Sequence, residues 1–238
     1  MNIALIGYGK MGKAIEEIAV QRKHKIVLKI DEHNLADFNK NNIAKADVAI
    51  EFTGPHTAIE NLKKLISFGV PLVCGSTGWT DHLQQINKLV EEKSGSFIYA
   101  SNFSVGVNIF FEVNKRLAAL MAPHKDYEVI LEETHHTAKK DAPSGTAITL
   151  AEQVLHEIKR KKQWVNELSD NPEDLEIISQ RVDPAPGTHN IRYSSVIDTI
   201  EIIHTAHNRK GSALGAVLAA EFIHDKKGIF SMKDVLSL

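Results

Sequence analysis

The sequence predicts an α/β fold in which an open parallel sheet is joined by a second segment with a mixed sheet. Three observations carry this prediction. Apolar strand-like runs alternate with amphipathic helical segments over the first 105 residues or so. A glycine-rich turn directly follows the first apolar run. The middle of the chain has several strand-like runs with few helices between them. Alternating strands and helices imply parallel pairing through right-handed crossovers, whereas a run of strands favours antiparallel or mixed pairing.

The first part of the chain alternates regularly between the two kinds of element. Strands are predicted at residues 3–6, 25–30, 46–53, 70–74 and 96–99. Helices are predicted at residues 11–20, 57–68 and 81–93. The last two helices begin at a polar residue and are followed by a glycine, which is the usual punctuation of a helix.

The second part has a different order of elements. Long helices are predicted at residues 107–121 and 146–162, the latter closed by a run of four basic residues that suits the helix dipole. Strands are predicted at residues 127–134, 175–182, 190–195 and 199–205. A final alanine-rich helix, 212–224, is expected to return to the first sheet. We therefore predict one domain from residues 1–105 and 209–238, with residues 106–208 inserted as a second domain.

Composition excludes several classes of function. The 238 residues carry a formal net charge of -2, so nucleic acid and anionic membranes are not expected partners. No apolar run approaches the roughly 18 residues of a membrane span, and no secretory signal is recognisable at the start, so we expect a cytoplasmic protein. The single cysteine, Cys74, excludes an internal disulfide.

The glycine-rich turn, Gly7-Tyr8-Gly9-Lys10-Met11-Gly12, matches G-x-G-x-x-G in the context that gives this motif its meaning. It follows a strand, opens a helix, and precedes an acid, Asp31, at the end of the next strand. Gly7 would form the tight turn, Gly9 would let the backbone approach a pyrophosphate, and Gly12 would let helix and strand pack closely. A dinucleotide-binding site is predicted here, the alternative being a plain glycine-rich βα turn.

Cofactor choice depends on the acids after the second strand. Asp31 and Glu32 would repel a 2′-phosphate and favour the ribose of NADH, although Lys10 could offset this by reaching a phosphate. We predict NADH or NADPH, with NADH favoured. A second glycine turn, Gly75-Ser76-Thr77-Gly78, follows the fourth strand and is either a further cofactor contact or an ordinary turn.

The segment from Glu133 to Thr146 carries the most chemistry. It contains His135, His136, Lys139 and Lys140, and then starts a helix with Pro-Ser-Gly-Thr. Amide groups of Gly145 and Thr146 at a helix N-terminus form an anion site. Imidazoles and ammonium groups beside it would suit a small polycarboxylate and could transfer a proton. An exposed polar loop is the alternative.

A metal centre is the rival interpretation of the histidines, of which the chain has twelve. His135 and His136 are adjacent, so on a strand they face opposite sides and cannot easily chelate one ion. The spacing H-E-x-x-H does not occur. We therefore expect no metal. His135 and His136 are the main candidates for chemistry among the histidines, and His189 and His204 are lesser candidates.

These residues resemble the signature of the dihydrodipicolinate reductase family. Its pattern E-x-H-H-x-x-K-x-D-x-P-S-G-T-A is filled from Glu133 to Ala147. The likeness extends over the chain, in order: the two glycine turns, Ala100 to Asn108, Pro186 to His189, His204 to Ala206 with Arg209, and residues 228–236. The chain departs from the family in a shorter first glycine loop and in Gly54, where many relatives have arginine.

The resemblance implies a reductase of the diaminopimelate route to lysine, which reduces a cyclic imine dicarboxylate with a nicotinamide cofactor. It implies a Rossmann-like cofactor domain and an inserted α+β domain that binds substrate and builds a homotetramer. His135 then resembles the catalytic acid–base histidine and Lys139 the proton donor, while His136, Lys140, Gly145 and Thr146 resemble substrate contacts. The implied cofactor contacts are Gly7, Tyr8, Gly9, Lys10, Met11, Gly12, Asp31, Gly75, Ser76, Thr77, Ala100, Ser101, Asn102, Phe103 and Arg209.

Two other functions are compatible with the glycine loop alone. Another dehydrogenase of aspartate-derived metabolism would share it but would not need His-His-x-x-Lys followed by Pro-Ser-Gly-Thr. A non-catalytic NAD-sensing module would have no reason to keep a proton donor beside an anion site.

Overall fold

The computed structural model describes residues 1–238, which divide into two compact units. The first unit comprises Met1–Val105 and Arg209–Leu238, and the second comprises Gly106–Asn208. None of the helices has the length and apolarity needed to cross a membrane.

A six-stranded sheet forms the centre of the first unit. Its strands are β1 Asn2–Ile6, β2 Lys25–Ile30, β3 Val48–Glu51, β4 Leu72–Cys74, β5 Ser96–Tyr99 and β11 Gly228–Phe230. Their order across the sheet is β11-β5-β4-β3-β1-β2, and every neighbouring pair is parallel. The predicted open parallel sheet is therefore confirmed. The strand order reverses direction around β1, which makes the β1–β3 edge the topological switch point where such sheets bind ligands.

Helices cover both faces of this sheet. They are α1 Lys10–Gln21, α2 Lys40–Ile43, α3 Ala58–Phe68, α4 Leu83–Glu92, α7 Lys210–Ile223 and α8 Met232–Leu236. One face is packed by apolar residues of α3 and α4, and the other by α1 and α7. Both faces are buried over the central strands β1, β3, β4 and β5, which is why these strands are mainly apolar, whereas the edge strand β2 exposes Lys25 and Lys29. α7 packs closely because Gly215 lies against the Phe103 carbonyl, where a Cβ would come within 1.7 Å of the oxygen.

A five-stranded mixed sheet forms the second unit. Its strands are β6 Glu128–His135, β7 Gln163–Val165, β8 Asp174–Arg181, β9 Thr188–Ser194 and β10 Thr199–Thr205. The order is β10-β9-β6-β8-β7, with antiparallel pairing of β10 to β9 and β9 to β6, and parallel pairing of β6 to β8 and β8 to β7. The mixed sheet predicted for this segment is confirmed. Residues of α5 Val105–Met121 and α6 Gly145–Glu157 form one apolar core with the sheet's inner face.

The helix predicted over residues 146–162 is wrong at its C-terminal end. α6 stops at Glu157, because Ile158 leaves helical geometry (φ -94°, ψ 83°) and is buried in the core at 1% exposure. Lys161 then turns inward, with its side chain 5% exposed and Nζ 2.9 Å from Glu128. The basic residues therefore lie between the helix and β7, beyond the last helical turn in which they were predicted.

Candidate active site

The glycine-rich turn joins β1 to α1 at the switch point of the parallel sheet. Gly7 has φ +97°, and a Cβ there would lie 2.1 Å from the Phe52 carbonyl oxygen, so only glycine fits. Gly12 faces back onto the turn, where a Cβ would lie 2.3 Å from the Gly7 oxygen. Gly9 precedes the helix, and a Cβ there would meet no atom within 4 Å. The first and third glycines thus allow close packing, and the second faces open space.

A cavity of about 540 Å³ lies beside this turn, which is within the size range of small-ligand sites. Its wall includes the predicted cofactor residues Gly7, Tyr8, Gly9 and Asp31. The remaining lining residues lie at the ends of β1 and β2, in the segments after β2 and β3, and at the start of α3: Ile6, Ile30, Glu32, His33, Leu35, Phe52, Thr53, Thr57 and Asn61. Lys10 and Met11 follow in the first turn of α1, with Lys10 exposed.

Asp31 stands at the end of β2 on the cavity wall. Its Oδ1 accepts a hydrogen bond of 2.8 Å from the His33 amide, and its own amide donates to Asn34 Oδ1, also at 2.8 Å. These bonds fix the turn after the strand. Tyr8 is fixed from the other side, since its hydroxyl binds Glu16 and Lys29 Nζ lies 4.8 Å from its ring centroid.

The second glycine turn follows β4 at the same edge of the sheet. Gly75 packs against the Phe52 ring, where a Cβ would lie 2.0 Å from Cζ. Ser76 is buried, and its hydroxyl accepts from the Thr53 amide at 2.8 Å, which ties the turns after β3 and β4 together. Thr77 is exposed. The Ser76 side chain therefore shapes the turn, and Thr77 is the side chain of this turn that faces solvent.

The predicted cofactor residues after β5 differ in exposure. Ser101 is exposed, Ala100 and Asn102 are half-buried, and Asn102 Oδ1 accepts from the Ser104 amide at 2.9 Å. Phe103 is 2% exposed and its ring packs 5.7 Å from that of Phe52, so its side chain belongs to the core. Arg209 precedes α7 and is exposed.

In the second unit, the predicted catalytic loop runs from the end of β6 to the start of α6. Ser144 is the N-cap of α6, and its hydroxyl accepts from the Ala147 amide at 3.2 Å. Gly145 and Thr146 form the first turn of α6, at the positive end of the helix dipole. The residue types of this loop therefore fold as predicted, with a helix N-terminus following the histidines and lysines.

A buried carboxylate, Glu133, organises this loop. It is 1% exposed and accepts from the Ser144 amide at 3.1 Å, from Ser179 Oγ at 2.8 Å and from Arg181 Nη2 at 3.1 Å. Burial would raise the pKa of Glu133, but the neighbouring imidazoles and these donors outweigh it, so the pKa lies well below its usual range. Glu133 is thus a fixed negative charge.

Two imidazoles face this carboxylate. His135 Nε2 lies 3.5 Å from Glu133 Oε2, and His189 Nε2 lies 3.6 Å from the same oxygen. The two Nε2 atoms are 3.4 Å apart, with the rings inclined at 72°. His189 Nε2 also lies 3.0 Å from Ser144 Oγ, and burial lowers the pKa of His189. Neutral imidazole is therefore the favoured form of His189 near pH 7.

Lys139 projects from the loop with its ammonium group held by an acid. Its Nζ lies 2.9 and 2.8 Å from the two oxygens of Asp141. Burial would raise the pKa of Asp141, but Lys139 outweighs it and the pKa is lowered. The Lys139 side chain is 21% exposed, while Lys140 beside it is exposed and His136 is half-buried. Thr137 anchors this loop, since its amide donates to Asp183 Oδ1 at 3.1 Å.

Several residues of this cluster had no predicted role, and His189 was only a lesser candidate. Glu133, Asp141 and Ser144 belong to the recognised motif but carried no predicted function. Strand pairing places His189 and Arg181 in the cluster. Glu133 is opposite His189 in the β6–β9 register, and His135 is opposite Arg181 in the β6–β8 register. No local spacing in the sequence indicates either contact.

Comparison with known proteins gives a consistent result. A family model described as "dihydrodipicolinate reductase, N-terminus" matches residues 1–103, and one described as "dihydrodipicolinate reductase, C-terminus" matches residues 106–236. A protein of Christiangramia forsetii named 4-hydroxy-tetrahydrodipicolinate reductase is 49% identical over all of this chain and 98% of its own length. A protein of Methanoregula boonei with the same name is 37% identical over 82% of this chain and 76% of its own length.

Solved structures share the fold. A dipicolinate-bound dihydrodipicolinate reductase from Paenisporosarcina sp. TG-14 superimposes with a TM-score of 0.75 at 23% identity, covering 97% of each chain. An engineered D-amino acid dehydrogenase bound to NADP+ has a TM-score of 0.58 at 15% identity, covering 98% of this chain and 93% of its own. At these identities the likeness concerns the fold alone.

Proposed function

The chain belongs to the dihydrodipicolinate reductase family, and on that premise we propose how its residues carry out the family's reaction. It is an oxidoreductase that reduces 4-hydroxy-tetrahydrodipicolinate, by way of dihydrodipicolinate, to tetrahydrodipicolinate with NADH or NADPH in the diaminopimelate route to lysine. The observation that carries the residue assignments is the loop from Glu133 to Thr146. It combines imidazoles, an ammonium group and a helix N-terminus within one unit.

The cofactor is assigned to the cavity at the switch point of the parallel sheet. The fit rests on the glycine turn, where Gly7 and Gly12 leave no room for a Cβ while Gly9 faces open space beside the cavity. The N-terminus of α1 favours the negative charge of a pyrophosphate. When bound, the nicotinamide supplies the hydride. The chain's own residues would bind and orient it: the turn itself, Asp31, Thr77 and the segment from Ala100 to Asn102.

NADH is the preferred cofactor in this proposal. Asp31 lies on the cavity wall with Oδ1 bound to the His33 amide, so its carboxylate is fixed at the end of β2. Glu32 follows it on the same wall and is largely exposed. A carboxylate here accepts hydrogen bonds from a ribose diol and repels a 2′-phosphate.

The substrate's two carboxylates are assigned to the loop and the helix start in the second unit. The N-terminus of α6 at Gly145 and Thr146 favours an anion, and His136 and Lys140 add donors from the same loop. Hydride addition at ring carbon C4 leaves an enamine, which takes a proton at the neighbouring carbon. Lys139 is the proposed proton donor, and His135 assists it. Asp141 holds the Lys139 ammonium group beside the loop until substrate competes for it.

Reduced nicotinamide absorbs at about 340 nm, so the fall in absorbance at that wavelength measures the reaction. The condensation product of pyruvate and aspartate semialdehyde is supplied with NADH or with NADPH, and each substrate is also omitted in turn. We expect oxidation of the cofactor only with that product, and a higher kcat/KM with NADH. Oxidation with a different dehydrogenase substrate would favour the other metabolic enzyme considered above, and no turnover with any substrate would favour a sensor.

Lys139→Ala tests the proton donor. Loss of general acid catalysis should lower kcat by about 10²-fold or more. Lys140→Ala is the matched control, because a residue that only binds substrate should raise KM with little change in kcat. Wild-type kcat in Lys139→Ala would remove Lys139 from this role.

A homotetramer is the proposed assembly. One face of the mixed sheet is covered by α5 and α6, while the opposite face carries half-exposed side chains linked by Arg192, which lies 3.7 Å from Glu132 and 3.9 Å from Glu201. The edge strand β10 exposes Ile203 on that face at 58%. An exposed apolar side chain on a sheet face that no helix of this unit covers is compatible with an interface between copies. Light scattering with size-exclusion chromatography should give four chains, and a monomer would contradict the proposal.

A further inference from the structure

Three donor atoms in the second unit converge on one point. His135 Nε2 and His189 Nε2 are 3.4 Å apart, and they lie 3.5 and 3.6 Å from Glu133 Oε2. The atoms form a nearly equilateral triangle whose sides are longer than good hydrogen bonds. A tetrahedral zinc ion with bonds of about 2.0–2.2 Å to two imidazole nitrogens and one carboxylate oxygen holds its donor atoms about 3.4 Å apart. The spacing of the three atoms matches that of zinc ligands.

We propose that Glu133, His135 and His189 form a binding site for a divalent transition-metal ion, with Zn²⁺ as the best match, and that metal bound there inhibits the enzyme. The three side chains leave the fourth tetrahedral position for water or another ligand. The inhibitory part rests on the proposed function, because it requires His135 to act in the reaction. The binding part depends only on the geometry of the three side chains.

The surroundings of the triad fix the donors in place. Ser179 and Arg181 bind Glu133 through Oε1, while Oε2 accepts from the Ser144 amide at 3.1 Å and faces the imidazoles. The side chains of Glu133, His135 and His189 are 0, 11 and 7% exposed, so little water competes for the ion. Hydrogen-bonded carboxylates of this kind orient ligands in metal sites.

The charge and donor types favour zinc over the common hard cations. Arg181 is paired with Oε1 of Glu133, and Lys139 is paired with Asp141, so neither of these cations is paired with the proposed ligand atom, Oε2. Two imidazole nitrogens and one oxygen suit zinc, whereas magnesium and calcium prefer oxygen ligands throughout. The sequence analysis expected no metal because His135 and His136 face opposite sides of a strand. The ligand set found here instead pairs His135 with a histidine of the neighbouring strand.

Calorimetry on the full-length protein tests the site. The protein is stripped with a chelator and titrated with Zn²⁺ without substrate, because dicarboxylates themselves chelate zinc. We expect one saturable site per chain. His189→Asn should weaken binding at least about tenfold, since even the loss of a residue that only supports a zinc ligand has this effect. His135→Asn should do the same, which keeps the test decisive if circular dichroism shows that either variant fails to fold.

His156→Asn is the matched control. His156 is an exposed histidine of α6 whose Nδ1 lies 2.9 Å from Glu157, so it offers the same donor types outside the triad. Its removal should leave the zinc affinity unchanged. Absence of a saturable site would overturn the proposal, and so would a site lost in His156→Asn but kept in both triad variants. Failure of the reductase assay would leave these binding results intact, so the two proposals fail separately.

An activity measurement tests the inhibitory part. With free zinc buffered at a concentration far below that of the dicarboxylate substrate, zinc should inhibit NADH oxidation by the wild type and by His156→Asn, and chelator should restore it. Stoichiometric binding at the triad with undiminished turnover would refute inhibition through His135.

Discussion

Gly12→Ala and Gly9→Ala should separate two roles within the same glycine turn. The Cβ added at position 12 would lie 2.3 Å from the Gly7 carbonyl oxygen, a distance that real Cβ atoms essentially never show. That oxygen belongs to the backbone, so the strand-to-helix junction must shift. At position 9 the added Cβ meets no atom within 4 Å. Gly12→Ala should therefore destabilise the fold, and Gly9→Ala should mainly weaken cofactor binding.

The expected magnitudes follow from the two environments. Overpacking of a close contact costs about 1–3 kcal/mol. A chain of this length loses about 2–4 °C in Tm per kcal/mol, so Gly12→Ala should unfold roughly 2–12 °C below the wild type. Gly9→Ala should change stability by no more than about 1 kcal/mol, because its φ of -84° is open to alanine. A methyl group in the path of the pyrophosphate should cost NADH about 1–3 kcal/mol, or about 5- to 150-fold in Kd.

Two measurements distinguish these outcomes. Thermal unfolding by circular dichroism reports the stability of each variant, and calorimetric titration with NADH reports the Kd. Wild-type Tm in Gly12→Ala would refute the argument from close approach. Wild-type NADH affinity in Gly9→Ala would show that the backbone at this position does not approach the cofactor.

Three further predictions concern the buried cluster and the cofactor. Arg181→Met should lower the free energy of unfolding by about 3 kcal/mol in urea, because it leaves the Glu133 carboxylate buried without its cation; an unchanged midpoint would contradict this. Burial lowers the pKa of His189 below its unfolded value of about 6.5, so its contribution to stability is present above that pH and is lost as the pH falls through the folded pKa. Histidines titrate roughly between pH 7.5 and 5.5, so urea unfolding is measured across that range. The free energy of unfolding should fall less in His189→Gln than in the wild type. Equal losses would refute the lowered pKa of His189. Asp31→Ser removes a charge from the cavity wall and should reduce the preference for NADH over NADPH, measured as the ratio of kcat/KM values, about tenfold or more. Glu32 is exposed, so Glu32→Gln should change this ratio less.

Local sequence patterns predicted a feature correctly wherever a single stretch of chain contains all of it. The glycine turn, the acid after the second strand and the loop from Glu133 to Thr146 are each formed by consecutive residues, so spacing along the chain predicts them. The alternating order of strands and helices predicted the parallel sheet in the same way. The edge strand β11, with three residues, is too short to give a pattern and was not predicted; it forms by pairing with β5.

Features that depend on burial were predicted less well. The helix expected to reach residue 162 ends at Glu157, because the following isoleucine is drawn into the core and Lys161 pairs with Glu128. Periodicity continues past that point, and only the position of the sheet shows where the helix must stop. The motif marks Phe103 as a cofactor contact, and because its side chain is buried, such a contact would be made by its backbone.

The sequence by itself determined the fold class, the two kinds of sheet, the glycine turn and the family, because hydrophobic periodicity and motif spacing are properties of neighbouring residues. Only the tertiary structure decided what surrounds His135. Antiparallel pairing of β6 with β9 brings His189 opposite Glu133, and parallel pairing of β6 with β8 brings Arg181 opposite His135. Strand register is set by packing across the whole sheet, so residues far apart in the chain become one buried cluster that no local pattern indicates.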